Sequence, residues 1–163
     1  MSKELPRGLK ITTVWLVLGT LVFLAVQAYL EQQQRTRFVA EGGRIEISRS
    51  PDGHYHWPAL VNGQAVEFLV DTGATSTALP AALADQLGLV LSGSVPSMTA
   101  GGPVTGRLGL VDLALEGGVR ADRLRVVVLP ALGSPLLGMD VLGRLRWQQD
   151  GGVLRIDGRA RGP

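Results

Sequence analysis

Apolar and polar positions divide the chain into one long uncharged run and a train of short alternating ones. Residues 11–30 hold twenty consecutive uncharged side chains, about the number a helix needs to cross a bilayer. From residue 44 the period drops to two. Ile45 and Ile47 alternate with Arg44, Glu46 and Ser48, as in a half-exposed strand. Residues 54–61 and 64–70 are two further strand-like runs separated by Asn62-Gly63, the strongest short hairpin signal because both residues tolerate positive φ. Residues 80–87 predict a short helix, opened by Pro80 and closed by Gly88. A strand over 89–98 leads into 99–106, where three glycines and a proline predict a hairpin tip. Strands over 107–116 and 119–130 meet at Gly117-Gly118. A short helix over 139–145 and a terminal hairpin, 146–149 with 153–156, complete the pattern.

The expectation is a mainly β protein with one or two short helices, preceded by one N-terminal transmembrane helix. Its divisions are a tail at 1–10, an anchor at 11–30, a tether at 31–43, a β domain at 44–157 and a disordered tail at 158–163.

Charge adds an orientation. Lys3, Arg7 and Lys10 against Glu4 precede the apolar run, and the residues after it balance, so the positive-inside rule puts the N-terminus in the cytoplasm. The β domain then lies outside, which in a bacterium is the periplasm, held to the inner membrane by a single pass. A cleaved signal peptide ending near Val26-Gln27-Ala28 is the competing reading, although Leu30 carries the apolar run past that point. The formal net charge of +2 belongs entirely to the N-terminal tail. The rest offers no basic patch, which argues against a nucleic-acid partner. Cysteine is absent, so there is neither a disulfide framework nor a Cys-based metal site or nucleophile.

The chemistry concentrates where the run Val66-Glu67-Phe68-Leu69-Val70 stops at Asp71-Thr72-Gly73. A strand fixes the carboxylate in space, Thr72 can hydrogen-bond locally and Gly73 lets backbone pass close by. Three letters also describe an ordinary turn after a strand. Here, however, the acid lies between two apolar segments, and a partly buried carboxylate is usually neutral, paired or working.

Residues 68–75, Phe-Leu-Val-Asp-Thr-Gly-Ala-Thr, together with 135–142, Pro-Leu-Leu-Gly-Met-Asp-Val-Leu, resemble the two signature segments of the retropepsin-like aspartic proteases. More narrowly they resemble the bacterial membrane-anchored branch, over roughly residues 54–156. The resemblance implies an acid-protease β-barrel with Asp71 as the catalytic acid, supported by Thr72, Gly73, Ala74 and Thr75. It also implies a flap at Ala100, Gly101 and Gly102, a peptide or protein substrate, and no metal or organic cofactor. The chemistry needs two carboxylates sharing a proton around one water. The chain holds one D-T-G and no internal repeat, so the second acid is expected from another copy in a homodimer. Asp140 lies in a segment that is not a second D-T-G and reads as a helix-start residue.

Two other readings stay open. One is a non-catalytic periplasmic binding or scaffold module of the same fold, in which Asp71 merely closes a turn. The other is a metal-dependent protein using His54, His56 and an acid, although no third ligand lies nearby in the sequence.

Overall fold

The computed structural model describes residues 7–33, 37–99 and 101–160. The chain separates into two compact units, residues 1–35 and 36–163. In the first, helix α1 spans Arg7–Gln33. Its side chains are described at Ile11 and from Thr13 to Tyr29, and every one of them is exposed. Among the described residues no helix is long and apolar enough to cross a membrane. The uncharged run read from the sequence is wider than those side chains by Thr12 and Leu30.

The second unit is built from strands β1 (Arg37–Ser48), β2 (His56–Val61), β3 (Gln64–Val70), β4 (Ala78–Pro80), β5 (Ser92–Thr99), β6 (Gly102–Leu115), β7 (Val119–Leu129), β8 (Leu136–Leu137), β9 (Leu145–Asp150) and β10 (Val153–Ala160). Two short helices, α2 (Ala81–Gln86) and α3 (Met139–Leu142), interrupt them. The order across the sheet is β5-β6-β2-β3-β8-β4-β7-β1-β10-β9, and β6 also pairs with β7. That extra pairing closes β6-β2-β3-β8-β4-β7 into a barrel, while β1, β10 and β9 continue as a smaller sheet.

The alternation in sequence explains the barrel's inside. In β2, Trp57, Ala59 and Val61 are buried, and in β3, Val66 and Phe68. Asn62 and Gly63 both take positive φ, as the hairpin reading requires. Buried residues of β6 and β7 face the same core. The register slips between Val111 and Leu113. Asn62 fits against that irregularity by exchanging hydrogen bonds with Asp112: its N–H donates to the Asp112 carbonyl, and the Asp112 N–H donates to Asn62 Oδ1, both at 2.9 Å. Trp57, fully enclosed, satisfies its indole N–H on the Glu116 carbonyl at 2.9 Å.

Two boundaries differ from the sequence reading. The domain begins at Arg37 rather than 44, because residues 37–40 pair antiparallel with β7 at 119–122 and Phe38 and Ala40 pack against the core. Part of the expected tether is therefore strand. At the other end β10 runs to Ala160, so 158–160 are paired strand and not disordered tail, with Glu41 opposite Arg159 and Leu145 opposite Ala160.

Candidate active site

Asp71 stands where β3 leaves the barrel. Its two preceding residues pair in parallel with β8, Leu69 with Leu136 and Val70 with Leu137. The Asp71 N–H continues that ladder by donating to the Leu137 carbonyl at 3.1 Å. On the other side the Val70 N–H donates to the Tyr55 carbonyl at 2.9 Å. The backbone that carries the carboxylate is thus held from both flanks.

Beyond it, Asp71, Thr72, Gly73, Ala74 and Thr75 form one loop, with Asp71 and Ala74 half-buried and the other three exposed. Asp71 Oδ1 accepts the Gly73 N–H at 2.8 Å, which fixes one carboxylate oxygen. The loop is tied to α3: the Met139 N–H donates to the Ala74 carbonyl at 2.8 Å and the Asp140 N–H to the Thr75 carbonyl at 3.1 Å. Among the described residues of this single copy the remaining Asp71 oxygen accepts no hydrogen bond, so the carboxylate keeps acceptor capacity for an incoming group.

Asp140 lies in the first turn of α3, at the helix start the sequence suggested, and its carboxylate reaches beyond that helix. Oδ1 and Oδ2 accept the Thr77 N–H at 3.0 and 2.9 Å, Oδ1 accepts the Thr77 hydroxyl at 2.8 Å, and Oδ1 also accepts the Val141 N–H at 3.0 Å. Thr77 is completely buried. Its hydroxyl oxygen accepts the Gly138 N–H at 3.3 Å, and its carbonyl accepts the Val127 N–H at 3.0 Å. This clamp joins the end of the Asp71 loop to α3 and β7. It also explains Gly138, where a Cβ would come within 2.5 Å of the Ser76 carbonyl carbon and 2.8 Å of the Thr77 nitrogen. Thr77 was not a candidate from sequence. The only signal was a hydroxyl residue directly before the apolar Ala78-Leu79.

The expected flap is the hairpin of β5 and β6. Gly101 and Gly102 lie at its tip, where the Thr99 hydroxyl donates to the Gly102 carbonyl at 2.8 Å; Ala100 falls outside the described residues. Along its length the hairpin contributes Val95, Val104 and Leu108 to an apolar cluster around Ala78, Val127 and Leu129, which Leu136 of β8 also joins. The hairpin is therefore rooted on the strands that flank the Asp71 loop. Among the described residues no hydrogen bond joins its tip to the loop.

The histidines take a different part. His56 Nε2 lies 2.8 Å from Asp52 Oδ2, and Nδ1 lies 3.2 Å from Glu67 Oε1. The His54 N–H donates to Asp52 Oδ1 at 3.0 Å. Both nitrogens of the His56 ring face carboxylates, and among the described residues no group of three acids and histidines is arranged to hold a metal ion. The hydrogen bond to Asp52 raises the His56 pKa above 6.5, with the charges of Asp52 and Glu67 adding to it against a partial desolvation. The His54 backbone N–H, and then His56, hold Asp52 below 3.8. The signs fix a window. His56 contributes fully below its unfolded value and loses its contribution as pH rises through its raised folded value, while Asp52 contributes above 3.8 and loses its contribution as pH falls through its lowered one. The contact therefore acts from mildly acid to near-neutral pH. In an NMR titration His56 should titrate above 6.5, and Asp52→Asn should bring it down. An unchanged midpoint in that variant would remove Asp52 as the cause.

Residues 57–141 match the aspartyl protease family. An uncharacterized protein of Rickettsia prowazekii (strain Madrid E) is 33% identical over 113 residues, covering 68% of this chain and 49% of the relative. The chain thus spans about half the length of that relative. Among solved structures, a retropepsin-like aspartic protease from Rickettsia conorii is similar with a TM-score of 0.63 and 29% identity, over 77% of this chain and 96% of that one. The protease of EIAV, solved with the inhibitor HBY-793, shares the fold at a TM-score of 0.50 and 22% identity, over 60% and 92% of the two chains.

Proposed function

The chain belongs to the aspartyl protease family, in its retropepsin-like bacterial form, and from that premise we propose that it is a membrane-anchored aspartic endopeptidase whose active site is completed by a second copy. The observation that carries the reading is the Asp71 carboxylate, presented at the end of a strand braced on both flanks, with one oxygen held by the Gly73 N–H at 2.8 Å.

One carboxylate is half of the required chemistry. Two copies bring Asp71 and its mate together, and two carboxylates at close range hold one proton between them. The ionised Asp71 takes a proton from the attacking water as that water adds to the scissile carbonyl. The protonated one hydrogen-bonds the developing oxyanion, and proton transfer to the leaving nitrogen completes the cleavage. Thr72 braces the pair, Gly73, Ala74 and Thr75 line the peptide groove, and the hairpin tip at Ala100, Gly101 and Gly102 closes over the substrate.

The anchor reading rests on the twenty uncharged residues 11–30 and the basic residues before them, with that run lying inside the helical span Arg7–Gln33. It places the enzyme in the inner membrane with its protease domain periplasmic. Alkaline extraction should leave the full-length chain in the membrane pellet, and its release would contradict an anchor.

Peptide-library cleavage by the full-length protein in its membrane tests the activity. A hydroxyl-bearing transition-state mimic should block it and a chelator should not. Loss of cleavage on chelation would favour a metal site, and a folded dimer that cleaves nothing would favour a binding module.

A further inference from the structure

The outer face of the barrel carries a patch that the Asp71 chemistry does not use. Residues paired directly across neighbouring strands point to the same face of a sheet, so the patch can be followed from strand to strand. Leu60 on β2 stands opposite Ala65 of β3 on one side and Ala114 of β6 on the other. Ala114 stands opposite Arg120 of β7, and Arg120 opposite Val39 of β1. One mostly apolar row therefore crosses five strands on the solvent side. Further along β6 and β7, Leu110 stands opposite Arg125. Leu60 is 47% exposed, Leu110 41% and Val39 39%. Single exposed apolar residues are ordinary, whereas a contiguous group of them marks a surface with a use.

Arginines border this row. Arg120, Arg123 and Arg125 are exposed on β7, and Arg37 of β1 stands opposite Asp122 in the register. The slip between Val111 and Leu113 leaves both Asp122 and Arg123 exposed. Against the four arginines the face sets two aspartates, Asp112 and Asp122, and Asp112 Oδ1 already accepts the Arg123 N–H at 2.8 Å. The face is thus net positive. The sequence shows no basic run there, because strand pairing gathers arginines that lie far apart along the chain.

An arginine can lay its alkyl stem over apolar surface while its guanidinium reaches a phosphate oxygen. Exposed aliphatic side chains interleaved with arginine suit the boundary between headgroups and acyl chains, where burial and charge attraction act together. We propose that this outer face of β1, β2, β6 and β7 docks on the anionic lipid headgroups of the membrane that holds the anchor. The docked face rests on the anchor reading of residues 11–30.

The chain's own connectivity favours lipid as the occupant. Only residues 34–36 separate α1 from β1, and four Cα steps reach at most about 14 Å. The strand that follows this link, β1, is itself a member of the face through Val39. A domain tethered so closely meets its own membrane at high effective concentration, so contacts too weak to recruit a free domain suffice.

Because the chain has no cysteine, one introduced thiol places a fluorophore at one position. Full-length Leu60→Cys is labelled beside Val90→Cys, a control site 88% exposed in the turn between α2 and β5. Both are reconstituted in phosphatidylcholine vesicles, with or without about one third phosphatidylglycerol, that carry a headgroup spin label. The label at 60 should be quenched several-fold more than the label at 90, and only where phosphatidylglycerol is present. Arg120→Glu with Arg125→Glu should lower the docked-to-free ratio by about 25-fold or more, from about fivefold per arginine at an anionic surface. Salt at about 1 M, where the screening length falls to about 3 Å, should release the face in the same way. Equal quenching at 60 and 90, from a chain that alkaline extraction leaves in the membrane, would overturn the docked face and leave the anchor standing. Quenching at 60 that is the same without phosphatidylglycerol would overturn recognition of anionic lipid. A label at 60 shielded from aqueous iodide yet not quenched by the headgroups would put a protein on the face and overturn the lipid assignment. Release of the chain by alkaline extraction would overturn both the face and the anchor.

Discussion

Replacing Asp71 by Asn should lower peptide cleavage by about 10³–10⁴-fold, the range of positioned acid–base catalysis, while leaving the fold within about 0.5 kcal/mol of the parent. The two halves of that expectation have separate causes. Asn retains an oxygen that accepts the Gly73 N–H, so the 2.8 Å bond that shapes the loop survives. What disappears is the capacity to take and return a proton, on which both halves of a shared dyad depend. Single-turnover cleavage set beside thermal unfolding checks the pair. Cleavage within a factor of ten of the parent would remove Asp71 from the chemistry, and a large loss of stability would make it a structural acid.

Asp140→Ala should have the largest effect on stability, roughly 3 kcal/mol. Its carboxylate satisfies the N–H and hydroxyl of Thr77, a residue with no solvent exposure, together with the Val141 N–H. Removing it leaves a buried backbone donor without an acceptor, which costs more than the net value of the bond that is lost. Asp140→Asn keeps one acceptor oxygen and should lose about 1 kcal/mol. Thermal unfolding should register the alanine variant as a fall on the order of 10 °C. Because the neighbouring N–H groups hold the Ala74 and Thr75 carbonyls, the same variant should also lose activity without touching Asp71. A melting temperature within about 2 °C of the parent would show that the clamp is replaceable.

The sequence made some of this readable because the relevant contacts are local. The hairpin at Asn62-Gly63, the meander through Gly117-Gly118 and the terminal hairpin pair neighbours along the chain, so alternation and turn chemistry suffice to find them. Asp71 was legible for the same reason, as an acid at the end of a continuous apolar strand. Long-range pairing was not. Residues 37–40 lack a strong alternating signature and become strand because β7 lies beside them. β4 and β8 are three and two residues long, too short for any period to register. Asp140 could be placed at a helix start, but its main partner, Thr77, lies 63 positions away, and nothing in either neighbourhood names the other.

The central claim is that two copies of Asp71 work as one site, and co-expression of the parent with Asp71→Asn in one membrane tests it most directly. With total chain held constant, random pairing at equal expression gives about one quarter of dimers with two aspartates. Activity should follow the square of the parent fraction and fall to about one quarter at that point. A linear fall, to about one half at equal expression, would mean that each Asp71 acts alone and would contradict the shared site.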